Sequence, residues 1–140
     1  KVYAYICDFP SNLLKRHAGV ITLPHLGAST AEAEDNCAVM VAEQIRDYLE
    51  HGNITNAVNF PQVMFPRQGA ARLAVVNANR PDMVGQISHD LGKGGLNIVH
   101  MVNESRGELA YTLVDVESEI DNDVAEAIRQ IDGVLNVRIL

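Results

Sequence analysis

Residues 22–30 of this 140-residue chain read Thr-Leu-Pro-His-Leu-Gly-Ala-Ser-Thr. His25 stands between a short apolar run, Val20 to Leu23, and the start of a long helical pattern. Histidine exchanges a proton near neutral pH and so suits general acid/base work. A strand end that leads into a helix is where α/β proteins set their chemistry, because free backbone N–H groups there face ligands. Taken alone, His25 reads more simply as a strand-end residue with a structural hydrogen bond.

The other reactive side chains read more plainly. Cys7 and Cys37 lie far apart without metal-ligand spacing, so both are expected as reduced thiols, Cys37 on an apolar helix face in the core. His89 and His100 are not spaced as ligands and are expected in solvated or core roles. Glu117, Glu119, Asp121 and Asp123 suit the solvated N-terminus of a helix and lack a calcium-loop pattern. No metal site is expected.

The elements that must position His25 follow from the patterning. Val2 to Cys7 reads as a strand that stops at Asp8-Phe9-Pro10, and Leu13 to His17 as a helical turn. Ser29 and Glu32 fit a capping box for a helix from about Thr30 to His51, with Cys37, Val41, Ile45 and Leu49 along one face. Gly52 is its stop. Residues 53–71 hold two prolines and no helical period, which predicts an extended linker.

The second half gives strand 73–78, helix 83–92, strand 97–105, a turn at Arg106-Gly107, strand 108–117, helix 121–131 and strand 134–140. Asp82 is the expected N-cap of the first helix. Val84, Ile87 and Leu91 should face inward from that helix, and Val124, Ala127, Ile128 and Ile131 from the second. This βαββαβ order is ferredoxin-like. A core of about 70 residues is small, so a second copy is expected to cover an edge or a face. The expected organisation is a first domain over 1–61, a linker over 62–70 and a second domain over 71–140.

A net charge of −7 argues against nucleic acid or an anionic membrane surface as the main partner. No apolar run approaches the roughly 18 residues of a spanning helix. The opening residues have no signal-peptide pattern, so a cytoplasmic protein is expected. A chain that opens on Lys1 within an extended run is expected to be a piece of something longer.

Two stretches coincide with one family. Asp8-Phe-Pro, then Ile21-Thr-Leu-Pro-His-Leu-Gly-Ala-Ser-Thr, then Asn56-Ala-Val-Asn-Phe-Pro61, resemble the end of the nucleotide-binding domain of the D-isomer-specific 2-hydroxyacid dehydrogenases. Val76-Asn-Ala-Asn-Arg-Pro-Asp-Met-Val-Gly-Gln with Gly94-Gly-Leu-Asn-Ile looks like the ACT domain that many of these enzymes carry. The resemblance implies a C-terminal fragment of an α/β plus α+β protein, the end of a Rossmann-type domain followed by an ACT-like regulatory domain. Within the family it points to the members that oxidise 3-phosphoglycerate with NAD in serine synthesis. It implies that His25 is the acid/base residue, that Asp8, Gly27 and Ala28 lie at the cofactor, and that Asn77, Asn79 and Asn97 hold an amino-acid effector such as serine at the interface of two ACT-like domains paired side by side. Backbone N–H groups near Met83 and Val84 would take the effector carboxylate. A homo-oligomer joined through the ACT-like domain is also implied.

The chain departs from the family in specific places. Asn12 is the nearest match to the glutamate that supports the family's histidine, unless a gap displaces it. Asn77 replaces a histidine and Asp82 a glycine at the effector site. No G-x-G-x-x-G occurs, and Gly92-Lys-Gly-Gly lies between a helix and a strand, the wrong order for a cofactor loop. The chain alone is therefore expected to be inactive as a dehydrogenase. Two other readings stay open: an amino-acid-binding or dimerising module only, and a dehydrogenase for another 2-hydroxy acid.

Overall fold

The computed structural model describes residues 3–140. Lys1 and Val2, the latter part of the expected first strand, lie outside the described residues. The chain divides into two compact units, one ending at Val41 and one running from Ala42 to Leu140.

In the first unit, β1 (Tyr5–Cys7) and β2 (Val20–Thr22) pair in parallel, with Cys7 opposite Thr22. A 3-10 turn at Leu14–Arg16 lies between them. The long helix α1 (Ala31–His51) begins after the loop that carries His25. Its cap is Thr30, whose Oγ1 accepts the Ala33 N–H at 3.1 Å. The start is thus one residue later than the Ser29/Glu32 box predicts. The expected inward face of α1 is also corrected. Val41, Ile45 and Leu49 are about half exposed, and Cys37 is exposed rather than in a core. Amphipathic spacing shows that a helix has an apolar face; it does not supply the surface that covers it.

The second unit holds β3 (Ala71–Ala78), α2 (Met83–Lys93), β4 (Ile98–Arg106), β5 (Leu109–Val116), α3 (Asn122–Arg129) and β6 (Val134–Ile139). The strand order is β4-β5-β3-β6, with every neighbouring pair antiparallel. This is the expected ferredoxin-like arrangement. α2 ends where Gly95 takes a positive φ and Leu96 N–H bonds the Leu91 carbonyl, a Schellman-type close. Met83, not Val84, joins Ile87 and Leu91 on the buried side of α2, and Ala125, not Ala127, joins Ile128 on α3.

Strand alternation gives the sheet two apolar faces. On the helix side, Leu73, Val75, Val114, Val116 and Val137 meet Ile87, Leu91, Ala125 and Ile128. On the other side, Ala74, Tyr111 and Leu113 meet Ile54, Val63 and Phe65. That second layer is the segment expected to be an extended linker. Ile54 and Val63 bridge each other through both backbone bonds, at 2.7 and 3.0 Å. The segment is therefore a strap folded over the sheet, and the compact units divide within α1 rather than at 62–70. The chain itself covers much of the sheet face away from the helices.

A buried ion pair fastens the strap. Arg72 on β3 faces Asp115 on β5, with Nε–Oδ1 at 2.6 Å and Nη2–Oδ2 at 2.9 Å, both side chains fully buried. The remaining guanidinium donors reach the carbonyls of His51 at 2.9 Å and Phe65 at 3.3 Å, and the Phe65 ring lies 4.2 Å from Arg72 Cζ. Gln68 N–H donates to Asp115 Oδ2 at 2.7 Å. Such a pair survives burial only when its spare donors and acceptors are satisfied, as they are here.

The last carbonyls of α1 have no partner within the helix and are taken by the sheet. Arg138 donates to Leu49 O at 3.1 Å, Arg72 to His51 O, and Tyr111 OH to Gly52 O at 2.7 Å. Gly52 takes φ +72°, and a Cβ there would come within 2.7 Å of Leu140 and 2.9 Å of Leu113. Only glycine fits that turn.

Candidate functional site

The parallel pairing of β1 and β2 aligns their C-terminal ends, and the Leu23 N–H bond to the Cys7 carbonyl extends the match by one step. Asp8 follows β1 and His25 follows β2 by a few residues, so both emerge at the same end. Asp8 Oδ2 lies 3.2 Å from His25 Nδ1. The Phe9 ring flanks the imidazole with centroids 4.4 Å apart. His25 is largely exposed and Asp8 partly so, which leaves the imidazole open to a reactant.

Asn12, the nearest match to the expected glutamate, makes no hydrogen bond to this ring among the described residues. Its stretch turns on itself instead: Ser11 Oγ accepts Leu14 N–H, and Ser11 O accepts Lys15 N–H. Asp8, expected at the cofactor, is thus the carboxylate at the histidine. Gly27 and Ala28 lie in the exposed turn between β2 and α1, and a Cβ on Gly27 would meet nothing within 4 Å. That turn is open surface.

The three effector asparagines are not brought together. Asn77 is buried on β3, where its amide donates to the Ala78 carbonyl at 2.8 Å and its Oδ1 lies 3.5 Å from Thr112 Oγ1. Thr112 in turn accepts from Asn103 at 2.7 Å. Asn79 donates to Gly107 O at 3.0 Å, tying β3 to the hairpin turn. Asn97 precedes β4, whose first residue Ile98 pairs with Val116, and Val116 pairs with Ala71. Asn97 therefore sits at the opposite end of the sheet from Asn77 and Asn79.

Asp82 precedes α2 with φ +67°, a left-handed conformation that costs a non-glycine residue about 1 kcal/mol or more. Its side chain makes no capping bond, contrary to expectation, and lies against Gly85, where a Cβ would come within 2.5 Å of Oδ1. A negative charge thus borders the first turn of α2, where Met83 and Val84 N–H groups were expected to receive a carboxylate.

His100 packs edge-on against Phe65, centroids 4.6 Å apart, and so belongs to the strap layer. Burial pushes the Tyr111 phenol well above its ordinary range. Among the described residues no group of three His, Cys, Asp or Glu side chains is arranged to hold a metal, and no helix is long and apolar enough to cross a membrane.

No family model matches the sequence. D-3-phosphoglycerate dehydrogenase of Escherichia coli (strain K12) is 32% identical over 139 residues, which cover 96% of this chain and 32% of that protein. The enzyme of the same name from Haemophilus influenzae is 32% identical over 128 residues, 91% of this chain and 31% of that protein. The chain thus spans about a third of the length of the curated relatives it matches. Among solved structures, the ACT domain of the GTP pyrophosphokinase of Chlorobium tepidum aligns with 50% of this chain and 95% of its own, at TM-score 0.44 and 20% identity.

Proposed function

We propose that this chain, homologous over nearly all its length to part of D-3-phosphoglycerate dehydrogenase, carries the acid/base residue and the regulatory domain of an enzyme that oxidises 3-phosphoglycerate to 3-phosphohydroxypyruvate. The observation that carries the reading is His25 at a strand end, open to a reactant and backed by a carboxylate at 3.2 Å. In this role His25 accepts the substrate hydroxyl proton as the carbinol carbon gives up its hydride. NAD supplies the hydride acceptor when bound by the larger enzyme. The 140 residues carry no G-x-G-x-x-G cofactor loop, so the chain by itself is expected to be inactive. A cytoplasmic setting goes with this reading.

The test is a hybrid in which this chain replaces the matching third of the Escherichia coli enzyme. Turnover of 3-phosphoglycerate with NAD is expected, with His25→Ala lowering kcat by about 10²- to 10⁴-fold. The isolated chain should show none. A hybrid whose activity ignores His25→Ala contradicts the assignment.

The second unit also supports a binding or dimerising reading. It has its own core on both sheet faces, and β4 and β6 are its open edges, along which a second copy can pair. An effector site that uses Asn77, Asn79 and Asn97 together cannot form within one copy of this sheet. Calorimetric titration of serine into the chain tests the effector role. Heat and a thermal shift at millimolar serine support it; neither appearing removes serine as the effector.

A further inference from the structure

We propose that Asp8 is the positioning carboxylate of His25, a place that Asn12, which makes no bond to the ring, does not fill. The proposal deepens the acid/base reading of His25 and rests on it for its consequence, though its geometry stands alone. Asp8 Oδ2 meets Nδ1 at 3.2 Å, while the Phe9 ring presses on the imidazole face. The ring is therefore held at one edge and one face. An Nδ1–H donated to Asp8 fixes the tautomer that leaves the Nε2 lone pair free, pointing away from the pair. When Nε2 accepts a proton, the imidazolium remains beside a negative charge. Asn12 could offer only an amide, and its turn is closed by Ser11, Leu14 and Lys15.

The pair is exposed enough to add little to folding stability, which separates orientation from structure. The chain also carries its own reference. His17 Nδ1 accepts the Gly19 N–H at 3.1 Å, so His17 holds its proton on Nε2. The two rings of the first unit should thus show opposite tautomers.

The experiment is long-range nitrogen–proton correlation NMR on the labelled 140-residue chain at about pH 8, where unperturbed imidazoles are neutral. His25 should carry its proton on Nδ1 and His17 on Nε2. Asp8→Ala, and the bulkier Asp8→Leu, should move the His25 proton to Nε2 while the backbone amide shifts of β1 and β2 stay in place, which reports an intact fold. Asn12→Ala should change neither ring. The proposal is overturned if wild-type His25 shares the His17 tautomer, if both Asp8 variants leave His25 unchanged, or if Asn12→Ala shifts it. None of these readings depends on turnover, so an inactive hybrid enzyme and a failed Asp8 assignment are distinguishable.

Discussion

Between residues 3 and 41 no residue is buried, whereas the unit from residue 42 on has an apolar cluster on each face of a four-stranded sheet. The first region carries the histidine on two three-residue strands and exposes Tyr3, Phe9 and Leu13 almost fully. The second buries its strands on both sides and closes them with a bidentate ion pair. The proposed chemistry and the stability are therefore located in different parts of the chain. The histidine-bearing end has local hydrogen bonds but no core of its own. The sheet has a core but holds its polar side chains in structural bonds.

The largest test of that contrast is Arg72→Ala. It strands a buried carboxylate and frees the strap, and should cost about 3–5 kcal/mol in urea unfolding. A loss below 1 kcal/mol would mean that the pair does not hold the strap. Burial by itself would raise the Asp115 carboxyl, but the bonds from Arg72 and Gln68 N–H outweigh it and hold it below its ordinary value of 3.8. A lowered folded value gives stability that is present above the ordinary value and fades as pH falls through the folded one. Acid titration of the folded fraction should show this loss in the wild type and a flatter profile in Asp115→Asn.

Next come Leu113→Ala under the strap and Ile128→Ala under the helices, each expected to cost about 2–5 kcal/mol because both side chains are fully buried. Equal costs make the strap a packed layer; a loss near zero at Leu113 alone would reduce it to a loose cover. Tyr111→Phe removes the bond to Gly52 O and should cost about 1 kcal/mol by the same measurement. The smallest effect belongs to α1. Val41→Ala should stay within about 0.5 kcal/mol, since Val41 belongs to the first unit and is 47% exposed. A core-sized loss there would break the comparison.

The βαββαβ order was legible because Leu73, Val75, Ile87, Leu91 and Ile128 repeat at strand and helix periods. The strap was not, because residues 53–65 carry no period and are fixed by tertiary bonds. Arg72 and Asp115 read as ordinary strand charges until the register sets them opposite each other. The face of Cys37, Val41, Ile45 and Leu49 was correctly amphipathic, yet periodicity does not tell whether a partner surface exists. Asn77, Asn79 and Asn97 share a residue type and a motif, but sheet topology separates them. His25 was visible from its junction. That Asp8 would be its carboxylate became clear only from the parallel strand ends, although an aspartate directly before Phe9-Pro10 was the available signal.

Amide hydrogen exchange along the intact 140-residue chain tests the division most directly. Amides of β3 and β5 should exchange slowest, at the rate of global unfolding. Those of β1 and β2, including Tyr5, and of Leu23 just beyond β2 should exchange orders of magnitude faster. Equal protection across β1, β2, β3 and β5 would contradict the account, because it would require the histidine-bearing unit to share the stability of the sheet.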